Sequence, residues 1–283
     1  MGFYAPAQLV RDARAHGVEV RSVDVLASDW ESTLETTSAV RLGLDRIHGL
    51  SRPGALRLLA ARAERRQCHP GQAAFRDVDD LARAARLDHR DLQCLADADA
   101  LRSLAGHRAQ AAWEVAAFIP PTDLLAPASI HEAPIPLPAP TEGEDVLADY
   151  RALGIPMGRH PLALLRPWLA RRGARSAAEL GEIPDGRIVS ASGIVTHRQR
   201  PETARGTIFV TLEDDTGPIN VIVRPKIFDR HRDAIRSARL MTVRGRWQHD
   251  AGSTGQVRQL IAFRVVDDSG LLGRLAPASR DFH

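Results

Sequence analysis

The chain has 283 residues, of which 5% are aromatic and 26% are charged, and its formal net charge is +3 at neutral pH. No stretch approaches the ~18 consecutive apolar residues of a membrane-spanning helix, and the N-terminus lacks the apolar segment of a secretory signal. The two cysteines, Cys68 and Cys94, have neither disulfide-scaffold nor zinc-ligand spacing. We therefore expect a cytoplasmic protein with reduced thiols and no membrane partner.

Positive charge is concentrated in two blocks of the sequence. Residues 183–266 hold 14 arginine or lysine side chains against 8 acidic ones, and residues 41–119 hold 13 against 10. The rest of the chain is acidic on balance. Two basic blocks are typical of a protein with a polyanionic partner such as nucleic acid. The solvated basic faces of an ordinary protein stay an alternative.

The elements predicted for the first 182 residues are mostly helices. Residues 1–40 open with a short helix in APAQLVRDARAHG and an alternating strand in VEVRSVDV, a block too short to form a domain by itself. Residues 41–119 contain four helical patterns, including GLSRPGALRLLAARAERR and DVDDLARAARL, with short connectors. Residues 120–140 hold seven prolines, which predict an extended linker. Residues 141–182 return to a helical pattern and are predicted to be a connector.

The pattern of hydrophobic residues changes to period two in residues 183–268. Five predicted strands follow one another there, with a helix-like segment, PKIFDRHRDAIR, between the third and the fourth. That order predicts an OB-fold, a small five-stranded barrel whose second and third strands hold single-stranded nucleic acid. Residues 269–283 are predicted to form a C-terminal tail.

A glycine-centred turn in residues 44–62 is the first candidate nucleic-acid site. In LDRIHGLSRPGALRLLAAR, two helical pieces are joined by Gly49-Leu50-Ser51. Glycine permits a tight turn, and free amides at the start of the second helix can hold a phosphate without reading its base. Arg52 and Arg57 could add positive charge. The pattern predicts a helix–hairpin–helix motif that binds the duplex backbone, although similar turns occur in ordinary helical hairpins.

A second turn, in LADADALRSL, is predicted to be structural. Asp99 stands where a glycine is expected, and its charge would repel phosphate. The predicted fold class is therefore an α+β multidomain protein, in which a helical helix–hairpin–helix domain is followed by a five-stranded OB-fold barrel.

The outer face of the hairpin TIFVTLEDDTGPINVIV is the second candidate site. A ring beside arginines suits an unpaired base and its phosphate. Phe209 or Trp247 is predicted to supply the ring, and packing against the neighbouring helical domain is the alternative for each. Six basic residues are predicted to supply the charge: Arg198, Arg200, Arg224, Lys226, Arg244 and Arg246. Inward-facing positions are predicted at Ile208, Val210, Leu212, Ile219, Val221 and Val223.

The acidic turn of this hairpin, residues 213–217, is interpreted as turn geometry, because Asp and Gly are favoured in turns. A magnesium site would need more oxygen ligands at defined spacing, so no metal or cofactor is predicted for this chain. The turn's three carboxylates are expected to repel phosphate. The outer face of the hairpin, rather than its turn, is predicted to bind single-stranded DNA.

Four segments together resemble the C-terminal part of the bacterial error-prone DNA polymerases, C-family relatives of the DNA polymerase III alpha subunit. They are MGFYAPAQLVRDARAHGVEVRSVDV, LGLDRIHGLS, DYRALGIPMGRHPLALLR and FVTLEDDTGPINVIV. The resemblance runs from the first residue almost to the last. It implies that residues 1–40 are a remnant of the fingers region, and that the turn at Gly49 and the OB-fold arginines contact DNA.

The resemblance also implies that the magnesium-binding aspartates of the catalytic palm belong to a part of the polymerase that precedes this sequence. Asp97 and Asp99 lie in a predicted helical turn and do not form the clustered carboxylates that two-metal phosphoryl transfer requires. No catalytic residue is predicted. The implied partners are DNA, the rest of the polymerase, the sliding clamp and a mutagenesis accessory protein.

Three functions are compatible with these features. The first is the DNA-positioning portion of an error-prone, translesion polymerase, inactive by itself. The second is a free-standing protein that binds single-stranded nucleic acid through its OB-fold. The third is a protein-interaction scaffold, because OB-folds and helical hairpins also bind proteins.

Overall fold

The computed structural model describes residues 6–120, 135–249 and 258–275. The chain divides into two compact units, Met1–Gly158 and Arg159–His283. The boundary lies inside the segment 141–182 that the sequence predicts as one connector. Of the predicted linker, residues 121–134 lie outside the described residues, and residues 135–140 form neither helix nor strand.

The N-terminal unit combines a small sheet with helices. Helix α1 (Pro6–Ala15) and strands β1 (Glu19–Arg21), β2 (Thr33–Thr36) and β3 (Ala39–Arg41) come first, and the sheet order is β1-β3-β2. One 3-10 turn, Leu44–Arg46, precedes the helices. These are α2 (Arg52–Cys68), α3 (Val78–Ala84), α4 (His89–Asp97), α5 (Arg102–Ala105), α6 (Arg108–Ala117) and α7 (Glu142–Ala152).

The first forty residues share the core of the helices that follow. Val23 and Val25 are buried in the same apolar cluster as Leu58 of α2. Arg62 of α2 is also buried, and its guanidinium donates to the carbonyls of Val25 and Ser28 at 3.2 and 2.7 Å. Because a buried cation requires such acceptors, these bonds fix α2 to the N-terminal segment. The block that is too short to be a domain is thus part of a larger one.

The C-terminal unit is a closed five-stranded barrel with short helices. Its strands are β5 (Ile188–Gln199), β6 (Ile208–Glu213), β7 (Pro218–Val223), β8 (Leu240–His249) and β9 (Arg258–Asp267). They pair in the order β5-β6-β7-β9-β8, and β8 pairs back with β5. Helices α10 (Pro225–Arg230) and α11 (Arg232–Ser237) connect β7 to β8. The predicted OB-fold is confirmed, including the position of its helix.

Three further elements precede the barrel within this unit. They are helix α8 (Pro161–Arg171), the two-residue strand β4 (Ala174–Arg175) and helix α9 (Ala177–Gly181), and β4 pairs with β5 in parallel. The six predicted inward positions of β6 and β7 are all buried, Ile208 at 6% exposure and the others at 1% or less. Strict alternation of apolar residues places them inside, because successive strand side chains point to opposite faces.

Long strand β5 contributes to two sides of the barrel. Residues 188–194 pair with β8, whereas residues 194–199 pair with β6. This division determines which outward side chains can act together, because partners of the two halves lie on different parts of the barrel surface.

Candidate nucleic-acid interface

The turn before α2 has the backbone geometry that the sequence predicts. Gly49 has φ +82°, a conformation that non-glycine residues rarely adopt. In the part of the chain that the structure describes, the amides of Gly49 and Leu50 have no protein acceptor, whereas the amide of His48 donates to the carbonyl of Ala152 at 2.8 Å. Two adjacent amides are therefore available to a phosphate oxygen.

The start of α2 is occupied by a carboxylate that the sequence analysis missed. Asp91 of α4 is 1% exposed, and it accepts from the Ser51 amide at 2.9 Å and from the Ser51 hydroxyl at 2.8 Å. The Ser51 hydroxyl in turn accepts from the Gly54 amide at 3.0 Å, and residue 53 is proline, which has no N–H. The amides of Ser51 and Gly54 are thus already bonded, whereas those of Gly49, Leu50 and Arg52 have no protein acceptor among the described residues.

Gly54 makes this arrangement possible. A Cβ atom at Gly54 would lie 2.0 Å from the Asp91 carboxylate oxygen Oδ2. An isolated GLSRPG segment contains no signal for Asp91, because that residue is 40 positions further along the chain.

The two arginines predicted beside the turn have different surroundings. Arg52 is exposed, and its guanidinium lies 5.7 Å from the centroid of the Trp30 ring. Arg57 donates to the carbonyls of Ala85 and Arg86 at 3.2 and 3.1 Å. These carbonyls end helix α3, so Arg57 has a structural role that the sequence analysis did not predict.

The second predicted turn is closed by an internal ion pair. Asp99 has φ +57°, so it takes the left-handed conformation that a glycine would favour there. Its Oδ2 accepts from Arg102 Nε at 2.6 Å, and burial raises the pKa of this carboxyl group. A largely buried, ion-paired carboxylate occupies this turn, and its negative charge disfavours a phosphate there.

Two rows of outward side chains cross the β5–β6–β7 side of the barrel, which we call the front face. Residues of the first row are Phe209 of β6, which is 39% exposed, and its partner Ile222 of β7. The second row consists of His197, Thr211 and Asn220, which are paired across the three strands. An apolar row beside a polar row offers a base both a stacking surface and hydrogen-bond partners.

A group of arginines surrounds the Phe228 ring beside the front face. The guanidinium carbons of Arg200, Arg232 and Arg236 lie 5.6, 6.0 and 5.7 Å from the ring centroid. We call these three residues the Phe228 arginine cluster. No carboxylate of the described residues lies within ion-pair distance of them. Arg200 follows β5 directly, and Gln199 pairs with Phe209, so the cluster adjoins the front face.

Two members of the Phe228 arginine cluster, Arg232 and Arg236, were not predicted from the sequence. Arg232 and Arg236 are one helical turn apart in α11, and that spacing in RHRDAIRSAR could have indicated a shared face. Of the predicted residues, Arg224 and Lys226 are exposed at the start of α10. They lie next to the end of β7, where they can add positive charge.

Two of the residues predicted to contact DNA make contacts within the barrel instead. Arg198 is exposed, but its guanidinium is bonded to the chain itself, because Nε donates to the carbonyl of Ile235 at 2.7 Å and Nη2 donates to that of Ala238. Burial lowers the pKa of Arg198. Trp247 is 4% exposed within the barrel core, so its ring cannot stack on a base.

Arg244 and Arg246 are exposed as predicted, but they do not share a face with Phe209. They pair with Ser190 and Ile188 in the first half of β5, whereas Phe209 pairs with Gln199 in the second half. Ser190 and Gln199 are about 30 Å apart along the strand at the usual rise per residue. The predicted basic set is therefore divided between two sides of the barrel.

The acidic turn between β6 and β7 binds the chain itself. Asp214 is fully buried, and its Oδ1 accepts from the amides of Thr216 and Gly217 at 2.8 and 2.9 Å. Its Oδ2 accepts from the Ala177 amide at 2.8 Å and from Arg166 Nη2 at 2.9 Å. Burial would raise the pKa of Asp214, but these hydrogen bonds outweigh it and lower the pKa. The acidic turn is therefore also the attachment point of α8 and α9.

Comparison with known proteins agrees with this geometry. Residues 17–111 match the helix-hairpin-helix motif family, and residues 186–267 match the OB-fold nucleic acid binding domain family. The two matches define the chain as one with a helix–hairpin–helix region followed by an OB-fold of a nucleic-acid-binding family. No described helix is long and apolar enough to cross a membrane.

Curated relatives identify the kind of protein more closely. The chain is 51% identical over 294 residues to an error-prone DNA polymerase from Bordetella parapertussis, and 51% identical over 292 residues to one from Azoarcus sp.. A third, from Alkalilimnicola ehrlichii, is 48% identical over 287 residues. All three matches cover 100% of this chain and 26–27% of the relative. The chain is thus a relative of the bacterial error-prone DNA polymerases and spans about a quarter of their length.

Solved structures add no functional argument. The p204 HINb domain, for example, matches 35% of this chain and 49% of its own, with 16% identity and a TM-score of 0.27.

Proposed function

We propose that the front face of the barrel binds single-stranded DNA. The observation that carries this proposal is the exposed Phe209 ring, which lies in an apolar row with a polar row on one side and the Phe228 arginine cluster nearby. A base stacked on the ring and phosphates beside unpaired arginines are the two contacts that sequence-independent binding needs. Single strands of different sequence should therefore bind with similar affinity.

The turn at Gly49 supplies a second contact of a different kind. Its two free amides and the exposed Arg52 suit one phosphate group of a duplex, and no base edge is needed. In an error-prone polymerase, a chain that holds duplex and single strand would position the primer and template for a palm located elsewhere. The rest of the polymerase, the sliding clamp and a mutagenesis accessory protein would be its protein partners by the same relationship.

Magnesium in such a polymerase would belong to the palm. Among the described residues, no three His, Cys, Asp or Glu side chains form a group that could hold a metal ion. Asp97 accepts from Gln93 at 2.8 Å and Asp99 accepts from Arg102 at 2.6 Å, and neither belongs to a group of metal-ligating side chains in the described part of the chain. Primer extension by this chain with magnesium and four nucleotides should give no product. Product that disappears when Asp97 and Asp99 are both changed to Asn would contradict this assignment.

Fluorescence anisotropy with a short labelled oligonucleotide tests the front face. Phe209→Ala should lower the affinity by roughly 1–3 kcal/mol, the usual value of one stacked base. Trp247→Ala is the matched control, since it also removes a ring but one that is buried, and it should reduce thermal stability. Equal affinities of the parent and a folded Phe209→Ala variant would reject the proposed face.

A further inference from the structure

The barrel has a second basic surface, on the side formed by β8 and the first half of β5. A cleft of about 530 Å³ opens there, with Arg172, Arg175, Arg187 and Arg244 among its lining residues and no carboxylate. A smaller cleft of about 180 Å³ shares Arg172 and Arg244 with it and adds Trp168, Arg264 and one carboxylate, Asp268. We call the two clefts together the rear groove. All of these residues belong to the C-terminal unit.

Most of the positive charge in the rear groove is not neutralised. Arg175 pairs with Glu179 at 3.1 Å, and Arg172 lies 3.4 Å from Asp268. Arg187, Arg244 and Arg264 have no carboxylate within ion-pair distance in the described part of the chain. Since Arg264 of β9 pairs directly with Arg244 of β8, two of these cations are neighbours across the strands. Like charges at that spacing repel one another unless an anion lies between them.

A flat stacking surface lies beside the three arginines. The guanidinium of Arg172 lies 4.3 Å from the centroid of the Trp168 ring. Guanidinium planes and indole rings both stack on nucleobases, and this pair places the two together at the edge of the groove. Ser190 lines both clefts and can bond a phosphate or sugar oxygen.

We infer that the rear groove binds a second segment of single-stranded nucleic acid, separate from the segment on the front face. Phosphates would lie beside Arg187, Arg244 and Arg264, and a base would stack at the Trp168–Arg172 pair. A single strand alternates flat bases with phosphates, which matches this combination better than an acidic peptide, whose carboxylates would leave the stacking surface unused. The inference is independent of the front face, because the two surfaces use different halves of β5.

Photocrosslinking of the full chain tests the inference without any substitution. A thiothymidine hexanucleotide should crosslink to a peptide that contains Trp168 and, separately, to one that contains Phe209. A Phe209 crosslink alone would reject the rear groove and keep the proposed function, whereas a Trp168 crosslink alone would do the reverse. Displacement of the hexanucleotide from Trp168 by an equal charge of polyglutamate, at equal concentration, would indicate an acidic protein partner and also reject the inference.

Two double variants of equal net charge then separate the surfaces. Arg187→Glu with Arg244→Glu changes the rear groove, and Arg200→Glu with Arg232→Glu changes the Phe228 arginine cluster. In titration calorimetry each variant should bind one hexanucleotide fewer than the parent, and only the first should lose the Trp168 crosslink. Arg187→Lys with Arg244→Lys keeps the charge and should keep the stoichiometry. An unchanged stoichiometry in the folded first variant would contradict the inference.

Discussion

Arg166 of α8 donates hydrogen bonds to both Asp214 and Asp215 in the turn between β6 and β7. Asp214 is fully buried, and the amide of Ala177 also donates to it. One carboxylate therefore orders the hairpin turn and attaches α8 and α9 to the barrel. This contact explains the acidic residues at the tip of the β6–β7 hairpin, and no external ligand is needed.

Asp214→Asn should destabilise the protein far more than Asp215→Asn. Removal of one partner from a buried ion pair commonly costs about 3–5 kcal/mol, whereas the half-buried Asp215 should contribute about 0–1 kcal/mol. Urea unfolding monitored by fluorescence measures both values. Equal midpoints for the two variants would show that the bonds to Asp214 do not hold the helices.

The ionised Asp80 carboxylate should make the stability of the N-terminal unit sensitive to acid. Burial would raise its pKa, but hydrogen bonds from Arg65 and Arg76 lower it to about 2. A carboxyl group whose pKa is lower in the folded state stabilises that state above its ordinary pKa, and the stabilisation is lost as the pH falls from about 4 to 2. The melting temperature of the parent should fall over this range, and that of Asp80→Asn should fall less. Parallel curves would contradict the assignment.

Gly54→Ala should destabilise the N-terminal unit, although alanine is normally better than glycine in a helix by about 1 kcal/mol. The added Cβ would overlap the Asp91 carboxylate, and such overpacking costs about 1–3 kcal/mol. Gly158→Ala is the matched control, because its Cβ would lie 3.6 Å from Val146, an ordinary contact. A melting temperature that is raised in Gly54→Ala would show that Asp91 can move away from α2.

Arg52→Ala and Arg57→Ala should separate DNA contact from structure at the Gly49 turn. Arg52 is exposed, so its loss should weaken duplex binding for all sequences alike and reduce the salt slope by about one unit. Arg57 bonds the end of α3, so its loss should lower stability with little change in the salt slope. Anisotropy at several salt concentrations and thermal melting give the two readouts. A reduced salt slope in Arg57→Ala with reduced stability in Arg52→Ala would show that Arg57 contacts DNA and Arg52 is structural.

Much of the fold was predictable because local signals agreed with one another. Ser51, Asp77 and Asp88 cap helices α2, α3 and α4, a position that Ser and Asp commonly take. Strict alternation in β6 and β7 correctly separated the core from the outer face. The OB-fold followed from five such strands and one helix in the expected order.

The candidate site was less predictable, because the positions of several of its side chains depend on contacts with residues that are distant in sequence. Arg198 and Trp247 alternate like surface residues in sequence, but barrel closure turns one towards the end of α11 and the other into the core. Asp91 and Arg166 act on turns about 40 to 50 residues away, for which no local pattern exists. Phe209 and Arg244 were grouped because both face outward, yet the pairing of β5 places them on different sides of the barrel.

Arg232→Ala and Arg236→Ala, compared with Arg198→Ala, test the Phe228 arginine cluster. Arg232 and Arg236 lie beside the Phe228 ring with no carboxylate partner among the described residues, so both are available to phosphate. Each substitution should lower the affinity for single-stranded DNA of any sequence and reduce the salt slope by about 0.7 units, the value for one phosphate of a single strand. Arg198 donates to the last carbonyls of α11, so its loss should lower thermal stability while a folded sample keeps the parent's salt slope.

Anisotropy from low to moderate salt, with melting curves for each variant, distinguishes the two effects. If Arg198→Ala reduces the slope as much as Arg232→Ala does, the inward hydrogen bonds of Arg198 are exchanged for a phosphate on binding, and the boundary of the site must include it.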